Sequence, residues 1–311
     1  MDKIDTIALA GLGAVGSAYL ARISENVPMD RIRVVSSGER AERYRKNGVS
    51  VNGRRYFFPV TEPENGSPAD LVIYAVKQHH LPQAISDSRR FVGPDTVILP
   101  LLNGIRSEAD LGAAFGAKKV LYALVMGLDA VREGDNTSSA CLGTIQFGEA
   151  VSEEGRWSRK VRLVKEFLDS AGVPCEVMPD MKRALWKKFM INVGVNQVTA
   201  VLRSAYGAIQ RPGEARALVR SAMEEAAAAA AREGISLSAH DVGDGLSLID
   251  RLPPGGMTSM AQDVEARRKT EVEIFGETVV ELGEKHGIPV PVNAMLSRVI
   301  RAMEESYTTA R

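Results

Sequence analysis

An apolar tetrapeptide, Ile7-Ala8-Leu9-Ala10, runs without a break into Gly11-Leu12-Gly13-Ala14-Val15-Gly16. A strand that feeds a G-x-G-x-x-G turn leaves few folds open, because each glycine meets a separate demand. The first permits the tight turn, and the second lets backbone N–H groups approach a pyrophosphate. The third lets the next helix pack close to the strand with its N-terminal dipole end toward the phosphates. The glycine pattern alone is weak evidence, but here its context agrees. Ser17 to Ile23 predicts a helix and Ile32 to Val35 the next strand, the order of a dinucleotide-binding βαβ unit.

After that run, at 6–10, apolar runs follow at 32–36, 70–76, 96–102 and 119–125. They lack strict polar alternation, as strands covered on both faces do. Thr144 to Phe147 alternates like a strand with one wetter face, and Val161 to Ser170 predicts a helix. Beyond about Pro179 strand signals vanish, and helical patterns cover 181–203, 214–233, 239–251, 259–286 and 292–306. Gly234, Pro253-Pro254-Gly255-Gly256 and Gly287-Ile288-Pro289 are the stops between them. The expected architecture is an α/β Rossmann-type doubly wound sheet over residues 1–178, followed by an all-α C-terminal domain over 179–311. A chain of 311 residues suits two domains of roughly 150 each. The alanine-rich run Ala226 to Ala231 predicts close helix packing, in the core or at a subunit interface.

Composition excludes several functions. Lysine plus arginine balances aspartate plus glutamate, 39 against 39, so nothing electrostatic favours nucleic acid or an anionic membrane. Cys141 and Cys175 are too far apart in sequence for a metal knuckle, and the four histidines lack metal-ligand spacing. There is no G-x-S-x-G elbow and no phosphate-binding G-x-x-x-x-G-K-[ST] loop. With no targeting segment and no run of about 18 apolar residues, a cytoplasmic, metal-free protein is expected.

The second strand ends Val34-Val35-Ser36-Ser37-Gly38, without the carboxylate that an NAD site places on the ribose. Ser37 and Arg40 suit the 2′-phosphate of NADP, because a guanidinium meets phosphate with two hydrogen bonds. Glu39 is the competing feature, since it could take a free ribose hydroxyl. Lys77 follows the strand Leu71 to Val76, and Asn103 follows the strand Val97 to Leu102, where ligands collect in open α/β sheets. In the helical half, Lys188, Asn192 and Asn196 are spaced i, i+4, i+8 among apolar neighbours. A solvated face would carry more charge, and buried amides need partners that a polar ligand could supply. Ser259, Asp263, Arg267 and Glu271 are also four apart. Taken alone they fit a capping box from Ser259 to Gln262 and a line of surface ion pairs.

Together these residues resemble the ketopantoate reductase (2-dehydropantoate 2-reductase) family over essentially the whole chain. The likeness rests on the glycine turn, Ala75-Val76-Lys77, Leu102-Asn103-Gly104 and Trp186-Lys187-Lys188-Phe189 with Asn192 and Asn196. It continues in Ser259-Met260-Ala261-Gln262-Asp263, Lys269-Thr270-Glu271 and Gly287 to Asn293. The resemblance implies NADPH-dependent reduction of 2-dehydropantoate to pantoate in a homodimer. Lys188 would be the general acid, Asn192, Asn196 and Ser259 the substrate ligands, and Glu271 a residue orienting substrate or cofactor. Lys77 and Asn103 would line the junction between cofactor and substrate. It thereby reverses the structural reading of Ser259 and Glu271. Members often carry Arg where this chain has Ser36-Ser37, and Asn-Gly or Ala-Gly where it has Gly276-Glu277. Some place an asparagine near the position of Tyr206. Two rivals stand beside this reading: a reductase of another 2-oxo or 3-oxo acid, and a non-catalytic NADP-binding redox sensor, which needs no proton donor.

Overall fold

The computed structural model describes residues 2–309 and divides into two compact units, one ending at Lys182 and the other beginning at Arg183. The first unit runs β1 (Ile7–Ala10), α1 (Ala14–Ile23), β2 (Ile32–Val35), α2 (Gly38–Asn47), β3 (Val49–Val51), β4 (Arg54–Tyr56), β5 (Val60–Thr61) and β6 (Leu71–Tyr74). It continues with α3 (Leu81–Asp87), β7 (Val97–Pro100), α4 (Ser107–Phe115), β8 (Tyr122–Met126), β9 (Asp129–Glu133), β10 (Asn136–Cys141), β11 (Thr144–Gly148), α5 (Arg159–Ser170) and β12 (Cys175–Val177).

Five parallel strands form the central sheet in the order β5-β2-β1-β6-β7. β1, β6 and β7 are buried at every position. Alternate residues enter separate cores: Ile7, Leu9, Leu71 and Ile73 on one face, Ala8, Ala10, Val72 and Tyr74 on the other. That is why these strands read as unbroken apolar runs. The order reverses at β1, with β2 on one side and β6 on the other. Register sets Val35, Ala10, Tyr74 and Pro100 side by side, so four carboxyl ends share one edge at the switch point.

The last apolar run does not extend this sheet. After one parallel bridge from Val120 to Ile98, β8 pairs antiparallel with β11 in a separate sheet ordered β12-β11-β8. A third sheet, β4-β3-β10-β9, has no counterpart in the apolar pattern because its strands are short and polar. One local signal did exist: Asn52 (φ 49°) and Gly53 (φ 80°) form the two-residue β3–β4 turn, a sequence pair that favours this geometry.

The second unit holds α6 (Met181–Leu202) from Arg183 onward, α7 (Gly207–Gln210), α8 (Glu214–Arg232), α9 (Ala239–Asp250), α10 (Ser259–Glu265), α11 (Gly276–His286) and α12 (Pro291–Thr309). The helix expected over 259–286 is two helices. Arg267 takes a left-handed φ of 49°, the Arg268 N–H closes on the Asp263 carbonyl at 2.8 Å, and α10 stops. Thr270 then donates its N–H and its hydroxyl to Glu304, both at 2.7 Å, which holds the segment away from helical geometry. α11 starts at Gly276, where a Cβ would lie 2.0 Å from Gln197 Oε1 and 2.1 Å from Ser297 Oγ. The next residue, Glu277, takes a two-pronged bond from Arg301 at 2.6 and 2.7 Å. Gly276-Glu277 therefore fits its packing as it stands. Ala226, Ala229 and Ala230 are fully buried within this one chain. The alanine run thus serves its own core and gives no support to a subunit interface. Among the described residues no helix is long and apolar enough to cross a membrane.

Candidate active site

In the first unit the three glycines of the turn are not equivalent. Gly11 has φ 104°, and a Cβ there would meet Val76 at 2.5 Å and the Ala75 carbonyl at 2.6 Å. A Cβ on Gly16 would lie 2.0 Å from the Gly11 carbonyl oxygen. Gly13 is different: its nearest neighbour would be the Ala75 carbonyl at 3.9 Å. Gly13 is also the N-cap of α1, and no side chain caps that helix end. An open approach to backbone N–H groups at a helix N-terminus is what a pyrophosphate requires. Gly16→Ala is therefore expected to cost about 1–3 kcal/mol of stability through overpacking. Gly13→Ala, at an ordinary φ of −82° and with no close neighbour, should cost only about 0.5–1 kcal/mol, the exchange of a glycine for an alanine N-cap, while weakening dinucleotide affinity. Urea unfolding and cofactor titration on the two variants check this contrast.

At the tip of β2, Ser36 is 4% exposed and its hydroxyl has no hydrogen-bond partner in the protein. Ser37, Glu39 and Arg40 are exposed at the start of α2. Arg45 bonds Glu62 at 2.8 Å, and Arg43 reaches Asp135 at 3.4 Å. Arg40, the third arginine, is exposed beside Ser37. Lys77 and Asn103 each lie three residues past the ends of the neighbouring strands β6 and β7, half-buried on the shared edge.

In the second unit, α6 separates its two adjacent lysines. Lys187 bonds Asp244 at 2.7 Å and Asp241 at 3.2 Å, and Arg183, one turn earlier, bonds Asp241 at 2.7 Å. Burial works against the Asp241 carboxylate, yet the Ser238 N–H, Lys187 and Arg183 hold its pKa far below the usual carboxylate range. Lys188 lies about 100° further around the helix, in line with half-buried Asn192 and with Asn196, which is 5% exposed. Asn196 Oδ1 accepts from the Ser259 hydroxyl and the Met260 N–H, both at 3.3 Å. The structure therefore brings Asn196 and Ser259 together across 63 residues.

Ser259 is not the expected cap. Thr258 caps α10 through the Ala261 N–H at 3.1 Å, while the Gln262 amide turns back to the Met257 carbonyl at 3.3 Å. Ser259, freed from capping, is exposed. The ion-pair ladder also fails. Asp263 is buried and bonds Arg268 rather than Arg267, because the helix has ended between them. Glu271 is 9% exposed and leads into the single turn Val272–Ile274. Phe275 follows, its ring 6.5 Å from that of Phe189 on α6. Tyr206 packs on the loop before Ser259: its N–H bonds the Gly256 carbonyl at 2.9 Å.

Two residues escaped the sequence reading. Glu108, on α4 just past the Asn103 loop, is 6% exposed. Its carboxyl accepts from the Ser107 hydroxyl at 3.0 Å and from the backbone N–H groups of Glu108 and Ala123, yet burial pushes its pKa up to about 7. Arg132, on β9, reaches the Leu12 carbonyl inside the glycine turn. No sequence pattern could flag either, since an acid on a helix and a basic residue in a polar strand are ordinary surface features. No group of three or more His, Cys, Asp or Glu side chains among the described residues could hold a metal ion.

Models of the family described as ketopantoate reductase PanE/ApbA match residues 7–152, and those of its C-terminal domain match residues 180–304. The chain belongs to the ketopantoate reductase family. It is an oxidoreductase of that family's type. Among its relatives, the 2-dehydropantoate 2-reductase of Archaeoglobus fulgidus is 26% identical over 307 residues, 97% of this chain and 99% of that protein. The enzyme of that name from Vibrio cholerae is 27% identical over 242 residues, 78% of this chain and 80% of its own. D-mandelate dehydrogenase, solved with NADH and anilino(oxo)acetate, shares the fold at TM-score 0.87 and 21% identity, covering 97% of this chain and 99% of its own.

Proposed function

We propose that this ketopantoate reductase family member reduces 2-dehydropantoate to pantoate with NADPH, residues 1–178 holding the dinucleotide and 179–311 the substrate. The observation that carries the reading is the division of labour on α6. Lys187 is committed to α9 by Asp241 and Asp244, whereas Lys188 shares a stripe with two asparagines, one of them tied to Ser259. When bound, the reduced nicotinamide supplies a hydride to the C2 carbonyl. As negative charge grows on the carbonyl oxygen, the Lys188 ammonium balances it and delivers a proton to that oxygen. Asn192, Asn196 and Ser259 suit a carboxylate and hydroxyls without burying a further charge. Glu271 orients substrate or cofactor, and Lys77 and Asn103 line the junction between the two. Three features support NADP: the partnerless Ser36 hydroxyl, the exposed Ser37 and Arg40, and the absence of an acid at the tip of β2.

The test is NADPH oxidation with 2-dehydropantoate, run beside NADH and a panel of branched and aromatic 2-oxo acids. Efficient turnover of the NADPH and 2-dehydropantoate pair is expected. Tight NADPH binding with turnover of another oxo acid would move the substrate assignment, and Tyr206 packed on the loop before Ser259 is the feature that favours that second reading. Binding without any turnover would favour a redox sensor. The homodimer implied by the family is part of the proposal, and sedimentation at assay concentration checks it.

A further inference from the structure

The hairpin of β9 and β10 sends one charged side chain into the glycine turn. Arg132, its side chain only 16% exposed, donates through Nη1 to the Leu12 carbonyl and to the Ser17 hydroxyl at 3.1 Å. Ser17 is fully buried, and its hydroxyl also leans on the Leu12 carbonyl at 3.3 Å. The guanidinium is itself fixed, by Nε to the Gly134 carbonyl at 2.8 Å and by Nη2 to Asp135 at 3.4 Å. A half-buried arginine thus places one nitrogen, Nη1, on the main-chain oxygen between the first two glycines of the turn.

We propose that Arg132 is a positioning residue for the cofactor pyrophosphate, acting through the Leu12–Gly13 peptide. A trans peptide is planar, so its carbonyl and the following N–H point in opposite directions. With the Leu12 carbonyl held toward Arg132 and Ser17, the Gly13 N–H is held toward the opposite side. Gly13 is the position where a side chain would meet nothing closer than 3.9 Å, and it is the N-cap of α1. A cation on the carbonyl also polarises the peptide and makes its N–H a stronger donor, because hydrogen bonds in series reinforce one another. Arg132 therefore both aims and strengthens one of the donors a pyrophosphate meets. Asp135 extends the arrangement: it also takes Arg43 of α2 at 3.4 Å. One carboxylate at the hairpin turn joins the glycine turn to α2, whose N-cap is Ser37 and whose first turn holds Arg40. This inference rests on the dinucleotide reading of the first unit.

The experiment compares full-length wild type, Arg132→Met and Arg132→Lys. Affinities are measured for NADPH, for NADH, and for adenosine 2′-monophosphate, which lacks the pyrophosphate. Arg132→Met is expected to weaken the preferred dinucleotide about tenfold, the size of one charge-assisted hydrogen bond. It should leave kcat at saturating cofactor within about twofold, and Arg132→Lys should recover most of the affinity. Adenosine 2′-monophosphate binding should stay unchanged. Equal losses for both ligands, or a folded Arg132→Met with wild-type dinucleotide affinity, would overturn the proposal. If Arg132→Met does not fold, phosphorus NMR of the dinucleotide bound to Arg132→Lys decides. Pyrophosphate resonances shifted from wild type beside an unmoved 2′-phosphate support the role, and coincident pyrophosphate resonances refute it. Wild type that binds neither dinucleotide would instead remove the dinucleotide reading itself, and this inference with it.

Discussion

Lys188→Ala is expected to lower kcat for carbonyl reduction by about 10²- to 10⁴-fold, the usual contribution of a positioned general acid, while the dissociation constant for NADPH stays at its wild-type value. The expectation follows from where α6 (Met181–Leu202) sends its side chains. Lys188 is in line with Asn192 and Asn196, and Asn196 is bonded to Ser259. The protein also supplies its own control one residue away. Lys187→Ala strips one cation from the buried Asp241 and from Asp244. It should cost about 1–2 kcal/mol of stability, the penalty for leaving a buried acceptor short of a partner, with kcat retained. Steady-state kinetics and denaturant unfolding on both variants separate the roles. Turnover that persists in Lys188→Ala, or that disappears in Lys187→Ala with the fold intact, would overturn the assignment.

Glu108→Gln should make the protein more stable at alkaline pH than the wild type, and the gap should close as the pH falls. Burial raises the Glu108 carboxyl from 4.5 to about 7 against the pull of the Glu108 N–H, the Ser107 hydroxyl and the Ala123 N–H, with Asp110 adding a repulsion. That rise corresponds to about 3 kcal/mol. The sign follows from proton binding. Between pH of about 4.5 and about 7 the folded protein holds this proton and the unfolded chain does not, so stability falls as pH rises. Below that window the group contributes no penalty, and above it the full penalty applies. Glutamine keeps the acceptor and removes the charge. The stability difference between variant and wild type is therefore expected to grow by roughly 2–3 kcal/mol from about pH 5 to about pH 8. Depressed carboxylates such as Asp241 impose the opposite slope, but both proteins share them and they cancel. Urea midpoints across the range check it, and a difference that does not vary with pH would show that Glu108 titrates normally. Because α4 begins just past Asn103, the same variant tests the proposed cofactor role of that loop: retained NADPH affinity would make Glu108 a matter of stability alone.

Features with local causes are legible along the chain. Gly11 and Gly16 are required by contacts with Val76, Ala75 and each other, and their spacing is legible because such a turn tolerates nothing larger. β1, β6 and β7 appear as unbroken apolar runs because both of their faces are covered. The stripe from Lys188 to Asn196 is legible because a helix repeats every 3.6 residues. Periodicity failed wherever a distant partner decided the outcome. The four-residue spacing from Ser259 to Glu271 implied one helix, yet Glu304 holds Thr270 and Arg267 turns left-handed, so the helix ends at Glu265. The pairing of Lys187 with Asp241 and Asp244, the burial of Glu108, and the reach of Arg132 across 120 residues to Leu12 are equally invisible in the chain. Steric limits and burial periods are properties of neighbouring residues, so they are written in order along the sequence. A polar side chain's role depends on its desolvation and on the charge it meets, and only the folded structure sets those.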